Sequence, residues 1–600
     1  MLIEEKRQGS PQTLHGWRMP LAAWFILALT AGLSLLWSAH KLLEQDEIFS
    51  LQTDRVKSLA EVVRIQRLYP ISLEPPPYHV LSHAAIQVFG ANAFALRIPA
   101  FLGFLAMQVF LFFFVRNLAG ERAGLVAMAF PALTSTLYFS AEGRPYGVLL
   151  GCYADVALCW QLAARRADAS TSDRRRWLPL LGLALALALT LNVHFYGVLL
   201  LIAVCGAELL REVLRRRADK PFDWPMLVAI ALGMASLGLA LPFVKGSSEF
   251  KKHYYAGVIS AHMLTQPYRQ MLMDYTHFAK PVQTVLMVLI VVGGAALVWG
   301  CWRALVSGQV SVTAPEGAFL GLLLLMPVFA FVLGKVVTHA LEVRHSIGAI
   351  VGICALLGIA LAPALRRTRV FVPVLSAMLV WIVVVNGLRI RSSEVERRAT
   401  LAHLSLTASQ TAVVNSAADK NLYFQDLGEW EVASLYEPDP GLRERLVLVY
   451  SHTEEMDREH HDTMYLTAIH TQRFDSASIV NYETLRKAPG EHTFVLFHSG
   501  WNWTDAAFAH QASQVNPLGP AFGGDLVQVQ FRGRYETPMS DVKRAQTQPR
   551  GVFRRERFEE VIAPGSCCVE SFCKSGRAKH LGHALYVVGH RCDPDLNTRA

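Results

Sequence analysis

Charge is what this sequence has least of. Asp, Glu, Lys and Arg make up 18% of its 600 residues, against 52% apolar side chains, and the mean hydropathy is positive at +0.29. A water-soluble core of that length does not need so much apolar surface, but each crossing of a bilayer takes about 20 apolar residues. Ionisable residues are nearly missing from the interior of the apolar runs; Asp155 and Glu208 lie toward the inner halves of theirs. A transporter or flippase for a lipid-linked saccharide would place such groups near mid-membrane at broken helices, so that class is the weaker reading. No Gly-rich phosphate loop follows any candidate strand, which leaves nucleotide binding unsupported. No loop on the basic side is long enough to be an output domain, which argues against a sensor.

What is there is a series of apolar runs, at 20–37, 95–115, 124–141, 145–164, 177–194, 196–214, 225–244, 283–303, 317–337, 345–364 and 370–389. They predict about eleven transmembrane helices. Basic residues fall on alternate loops: Lys6, Arg7 and Arg18, then Arg116 and Arg122, then 165–176, 211–220, Arg303 and 366–369. The positive-inside rule then puts the N-terminus in the cytoplasm and the C-terminal portion on the outer face of an inner membrane. The same placement accounts for the net charge of +9 without nucleic acid as a partner. The first run reads as an uncleaved span, because Ser38-Ala39-His40 is a poor match to a signal-peptidase site.

The expected organisation is a cytoplasmic N-terminus (1–18), a polytopic α-helical membrane domain (19–390) with outer loops at 40–94 and 245–280, a linker (391–410), and a soluble periplasmic α/β domain (411–600). In the last, strands are expected at 411–415, 446–450, 493–498 and 526–531, with helices at 427–436 and 504–514. Cys567, Cys568, Cys573 and Cys592 are disulfide candidates in an oxidising compartment, with a zinc site as the competing reading. Cys152, Cys159, Cys205, Cys301 and Cys354 lie within apolar runs and read as small buried side chains. In the first outer loop, Tyr78, Leu81, Ala85, Val88 and Phe89 share one helical face, while His79, His83 and Gln87 share another. That pattern predicts an interfacial helix on the membrane. The second outer loop is polar and aromatic (His253, Tyr254, Tyr255, Tyr268, Tyr275), suited to a lid or to interfacial anchoring.

The informative polar groups gather at the outer ends of the runs. Asp46 and Glu47 follow the first, and Glu74 precedes Pro75 to Pro77. Glu142 and Arg144 flank Gly143, with Pro145 at the first position of the next helix. His194 and Tyr196 close the fifth run; Glu342, Arg344 and His345 open the tenth. Arg97, Arg144 and Arg344 each sit at the outer, N-terminal end of an inward-running helix, against both the positive-inside bias and the helix dipole. Each arginine either pairs with a neighbouring carboxylate or serves an anion, and the three together favour a phosphate site. Carboxylates beside such a site suit glycosyl transfer from a lipid phosphate: one acts as general base, while the cations, or a divalent metal at Asp46 and Glu142, stabilise the departing phosphate.

The ordered pieces are Asp46-Glu47, Glu74-Pro-Pro-Pro-Tyr-His-Val-Leu-Ser-His83, Phe94-Ala-Leu-Arg-Ile-Pro99, Tyr138-Phe-Ser-Ala-Glu-Gly-Arg-Pro-Tyr146 and Glu342-Val-Arg-His345. Across 20–390 this set resembles the GT-C class of membrane glycosyltransferases, in particular the bacterial branch related to protein mannosyltransferases and the lipid A aminoarabinose transferase. The resemblance implies a GT-C-like fold and an acceptor (lipid, glycan or protein) attacking a polyprenyl-phosphate sugar with inversion at the periplasmic surface. Asp46 would be the base, with Glu47 and Glu142 as further acidic positions. Arg144 and Arg344, with Arg97 and His345, would contact the lipid phosphate; Glu74, Tyr78, His83, Tyr146, His194 and Tyr196 would line the substrate site. Relatives usually carry His or Lys where Glu74 stands, Ala where Gly143 stands and Tyr where His345 stands, and these departures bear on which donor is taken.

Overall fold

The computed structural model describes residues 18–169, 174–255, 259–272, 280–417, 419–475, 478–497 and 503–532. The chain forms two compact units: Met1–Ser393 with Tyr450–Ile479, and Glu394–Val449 with Val480–Ala600. The four C-terminal cysteines lie outside the described residues.

All eleven apolar runs are helical. Among the described residues, seven helices are long and apolar enough to cross a membrane, or eight if the bent pair Ala314–Leu324 and Met326–Thr338 is one span. Pro327 at the start of the second half cannot donate to the ladder, which accounts for that 51° break. The other three runs give shorter or more charged helices, Glu121–Leu133, Leu199–Arg217 and Ala349–Leu365. The first of these stops where Thr134 caps a 3₁₀ turn, Ser135–Ser140, by accepting from the Thr136 amide. The chain is a multi-pass membrane protein by these helices. Of the five cysteines in apolar runs, Cys152 and Cys354 are buried as expected, whereas Cys205 is exposed on the helix surface.

Helices Ala93–Ala119 and Tyr146–Ala169 pack closest where Gly147 meets the backbone of Ala100; a Cβ there would lie 2.2 Å from the Ala100 carbonyl oxygen. That contact fixes the depth of Arg97 on one helix and of Arg144 just before the other. The loop at 40–94 folds as helices Gln45–Asp54, Leu59–Leu68 and Pro76–Phe89. Glu44 and Glu47 form a capping box at the start of the first, and Ser58 caps the second. The third helix presents Leu81, Val88 and Phe89 outward, as an interfacial helix would. Its other face is a correction to the sequence reading: His79 and His83 are buried with Tyr78, because the carboxylate and carbonyl of Asp54 lie opposite them.

The segment Tyr450–Ile479 supplies helices His452–Arg458 and Thr463–Thr471 to the first unit. His470 Nδ1 lies 2.8 Å from the Pro70 carbonyl in the loop at 40–94, and the Asp462 amide donates to the His253 carbonyl (3.2 Å) in the loop at 245–280. The second unit holds a mixed six-stranded sheet made from β1 (Leu422–Phe424), β2 (Leu446–Tyr450), β3 (Ile479–Asn481), β4 (Glu491–Leu496), β5 (Ala512–Ala521) and β6 (Gly524–Phe531). Its order is β3-β2-β1-β4-β6-β5, with β1 parallel to β2 and β4. The expected strand at 411–415 is instead part of helix Ala408–Ser416, started by a Thr407–Gln410 capping box.

Candidate active site

Lys41 to Leu43, just after the first helix, turn the chain so that Asp46 and Glu47 face opposite partners. Glu47 is fully buried and takes both prongs of the Arg97 fork, at 2.7 and 2.8 Å. The remaining Arg97 donors go to the carbonyls of Ser38, Lys41 and Leu42. Five N–H groups thus meet five acceptors within the chain, so Arg97 has no donor left for a phosphate. The Gly143 amide also donates to Glu47, at 2.6 Å. A side chain at Gly143 would run into Leu96 at 2.6 Å, which is why the smallest residue stands there. Lys41 completes the pin at 3.1 Å from Glu47. Burial alone would raise the Glu47 pKa, but Arg97 and Lys41 hold it down to about 2. Arg97, expected at the phosphate, and Glu47, expected among the catalytic carboxylates, are instead paired with each other in a clamp that anchors the loop.

Asp46 points the other way and remains about 31% exposed. One of its oxygens lies 2.7 Å from Arg344 and 3.6 Å from Arg144. Burial pushes its pKa up; the two guanidinium groups push it down further, leaving it below the usual carboxylate range. Arg144 also pairs with Glu74 and donates to Ser72 Oγ at 2.8 Å, while Ser72 donates to Glu74 at 2.6 Å. Glu142 is buried and its Oε2 meets no hydrogen-bonding partner among the described residues. Burial, only partly opposed by Lys41, raises its carboxyl to about 8.

One wall is aromatic. The Arg344 guanidinium lies 5.8 Å from the Tyr146 ring, Tyr146 is 5.5 Å from His194, and His345 stacks on Tyr196 with centroids 3.9 Å apart. The His194 ring also lies 5.6 Å from that of His345. Tyr196 donates to the Ala340 carbonyl, and His345 accepts from the Glu342 amide at 3.0 Å. Tyr78 is spent on the Leu96 carbonyl (3.2 Å) and His83 on that of Asp54 (2.8 Å), both within the buried core. The structure therefore gathers Asp46, Glu74, Glu142, Arg144, Arg344, Tyr146, His194, Tyr196 and His345, and sets Arg97, Glu47, Tyr78 and His83 behind them as support. Sequence reasoning missed Asp54, Ser72 and Tyr138, whose hydroxyl donates to Glu44 at 2.6 Å; His79 carried a signal, the shared face with His83.

Among the described residues, one carboxylate group meets the distances for a metal: Glu208, Glu212 and Asp223, which are remote from Asp46 in the sequence and held by Arg211, at 2.6 Å from Glu208 and 2.8 Å from Asp223. A guanidinium already stands where a cation would.

Residues 74–239 match the family described as dolichyl-phosphate-mannose-protein mannosyltransferase. ArnT from Cupriavidus metallidurans bound to undecaprenyl phosphate superposes over 84% of this chain and 98% of its own, with a TM-score of 0.52 and 13% identity. The apo form of the same protein gives 85%, 98%, 0.53 and 13%. The fold is that of the GT-C glycosyltransferases. At this identity the likeness establishes the fold, while the family match takes in Arg97, Glu142 and Arg144 but neither Asp46 nor Arg344. No curated protein sequence matches the chain. Within the GT-C fold, the cluster around Asp46 lies in the turns between helices, where side chains from distant parts of the chain converge.

Proposed function

We propose that the protein transfers a sugar from a polyprenyl-phosphate donor to an acceptor at the outer face of a bacterial inner membrane. The observation that carries this reading is Asp46, a partly exposed carboxylate held between the guanidinium groups of Arg144 and Arg344. The ArnT fold seen with undecaprenyl phosphate supports the donor class. A phosphate arriving at these arginines competes with Asp46 for them, and a carboxylate released from two cations becomes a stronger base. The acceptor O–H or N–H then attacks the anomeric carbon, and the bond from that carbon to the phosphate oxygen breaks. Polyprenyl phosphate leaves with the electron pair, neutralised by Arg144 and Arg344, and Asp46 takes the proton. Attack from the face opposite the leaving group inverts the anomeric centre. Glu142, uncharged at neutral pH, donates a hydrogen bond to substrate. Arg144 and Arg344 supply the positive charge that faces the departing phosphate.

The alternating basic loops favour a cytoplasmic N-terminus, eleven crossings and a periplasmic sheet domain. Exchanging Asp46 for Asn tests the mechanism: insertion and lipid binding should survive, while transfer from a polyprenyl-phosphate sugar falls by about 10²–10⁴-fold, the usual worth of a general base. Wild-type turnover in Asp46→Asn would remove Asp46 from the reaction.

A further inference from the structure

Behind Glu74 lies a chain of buried groups that the mechanism above does not use. His79 is fully buried on helix Pro76–Phe89, and its Nδ1 lies 2.8 Å from Oδ1 of the equally buried Asp54. On its other side stand Gln66, from helix Leu59–Leu68, and Glu74, whose Oε2 is 3.7 Å from Nε2. The Gln66 amide is oriented by its surroundings: the backbone carbonyls of Ser72 and Glu74, at 3.0 and 3.2 Å, demand its NH₂ group. Its carbonyl oxygen therefore faces Nε2, at 2.9 Å. Both ring nitrogens thus meet acceptors, a carboxylate on one side and an amide carbonyl on the other. A neutral imidazole would turn one lone pair against another, so the ring carries both protons. The other neighbour is the Tyr78 ring, 5.8 Å away edge to face.

We infer that His79 is a positioning residue of the donor site: as an imidazolium between Asp54 and Glu74, it shares the Glu74 carboxylate with Arg144 and so fixes Arg144 toward Asp46. The inference rests on the reading of Arg144 as a phosphate ligand. The charges alternate from Asp54 through His79, Glu74 and Arg144 to Asp46 and Arg344. Removing the imidazolium leaves the buried Asp54 without its cation and leaves Glu74 to Arg144. Glu74 then draws Arg144 inward, which alters the phosphate ligand without touching it. Burial by itself would lower the His79 pKa, but Asp54 and Glu74 raise it to about 9. Its contribution is therefore complete below the unfolded value of 6.5 and is lost as pH rises through about 9.

The test measures undecaprenyl phosphate binding by the full chain in nanodiscs between pH 7.5 and 10. The lipid's own second ionisation, near ~6, is complete throughout that range. Wild-type affinity should fall with a midpoint near 9. His79→Gln should bind about tenfold more weakly at pH 7.5, the scale seen when an outer partner of a ligating side chain is removed, and should lack the fall near 9, keeping only the earlier one that the ionisation of Glu142 near 8 produces. Asp54→Asn, which keeps the imidazole, should move that fall to lower pH, and it carries the test if His79→Gln does not fold. Wild-type affinity and an unshifted pH profile in both variants would overturn the inference. If the wild type binds no undecaprenyl phosphate at any pH, the donor reading fails instead. The relay is then judged by thermal unfolding, where His79→Gln should lose the wild type's drop in Tm through pH 9; superimposable curves would refute it.

Discussion

Helix Tyr146–Ala169 has a knot of buried charge near each end, separated by about 36 Å at 1.5 Å per residue. At its C-terminal end Arg176, Arg211, Arg215, Glu208, Glu212 and Asp223 are buried with the half-exposed Asp168, and each has an opposite charge within 4 Å. At its N-terminal end the clamp of Arg97, Glu47 and Lys41 is closed in the same way. Beside that clamp the pattern changes: Asp46 stays partly open to solvent, and Glu142 has no ion-pair partner within the described chain. Closed networks hold helices and loops in place. Open ones retain unspent electrostatic potential, and that difference separates a site from a scaffold more reliably than charge density does.

Substitutions can break the comparison. Arg211→Ala in the closed network should cost about 3–5 kcal/mol, because four carboxylates (Asp168, Glu208, Glu212 and Asp223) lose their shared cation; thermal unfolding in detergent reads it. Near-wild-type stability would mean that this network is not the scaffold we describe. Arg344→Ala at the open end should leave Tm almost unchanged but weaken undecaprenyl phosphate by about 1.5–3 kcal/mol, the worth of a charged hydrogen bond. An equal loss for acceptor and donor would count against the phosphate role. The smallest effect belongs to Glu142→Gln. A carboxyl raised to about 8 keeps its proton in the folded state after the unfolded chain has lost it, so wild-type stability declines from about pH 4.5 to 8. The Gln variant escapes that decline and should unfold about 2–4 °C higher at pH 8.5, the scale of ~1 kcal/mol in a large chain. At pH 4.5 the two should coincide.

Much of the scaffold was legible because the bilayer imposes a strong pattern: all eleven apolar runs are helices, and helix 427–436 has its expected bounds. The short strands β1 and β3, of three residues each, left no period to read. The run at 411–415, Thr-Ala-Val-Val-Asn, suits either state, and its cap at Thr407 decided the outcome. In the site, the motifs pointed to Asp46, Arg144 and Arg344, whose side chains the fold brings within 4 Å of one another through Asp46. They could not separate Arg97 from them, since its partner Glu47 is 50 residues away. The Asp54–His79 pair was hidden for the same reason, at a separation of 25. Sequence position shows where a charge sits along a helix, but long-range pairing decides whether that charge is free.

The most direct measurement compares undecaprenyl phosphate binding by the wild type and by Asp46→Asn in the same nanodiscs. With the competing carboxylate neutralised, Arg144 and Arg344 are released to the lipid phosphate, so the variant should bind several-fold more tightly while transferring about 10²–10⁴-fold more slowly. Binding that is unchanged or weaker would mean that the phosphate does not lie against these arginines.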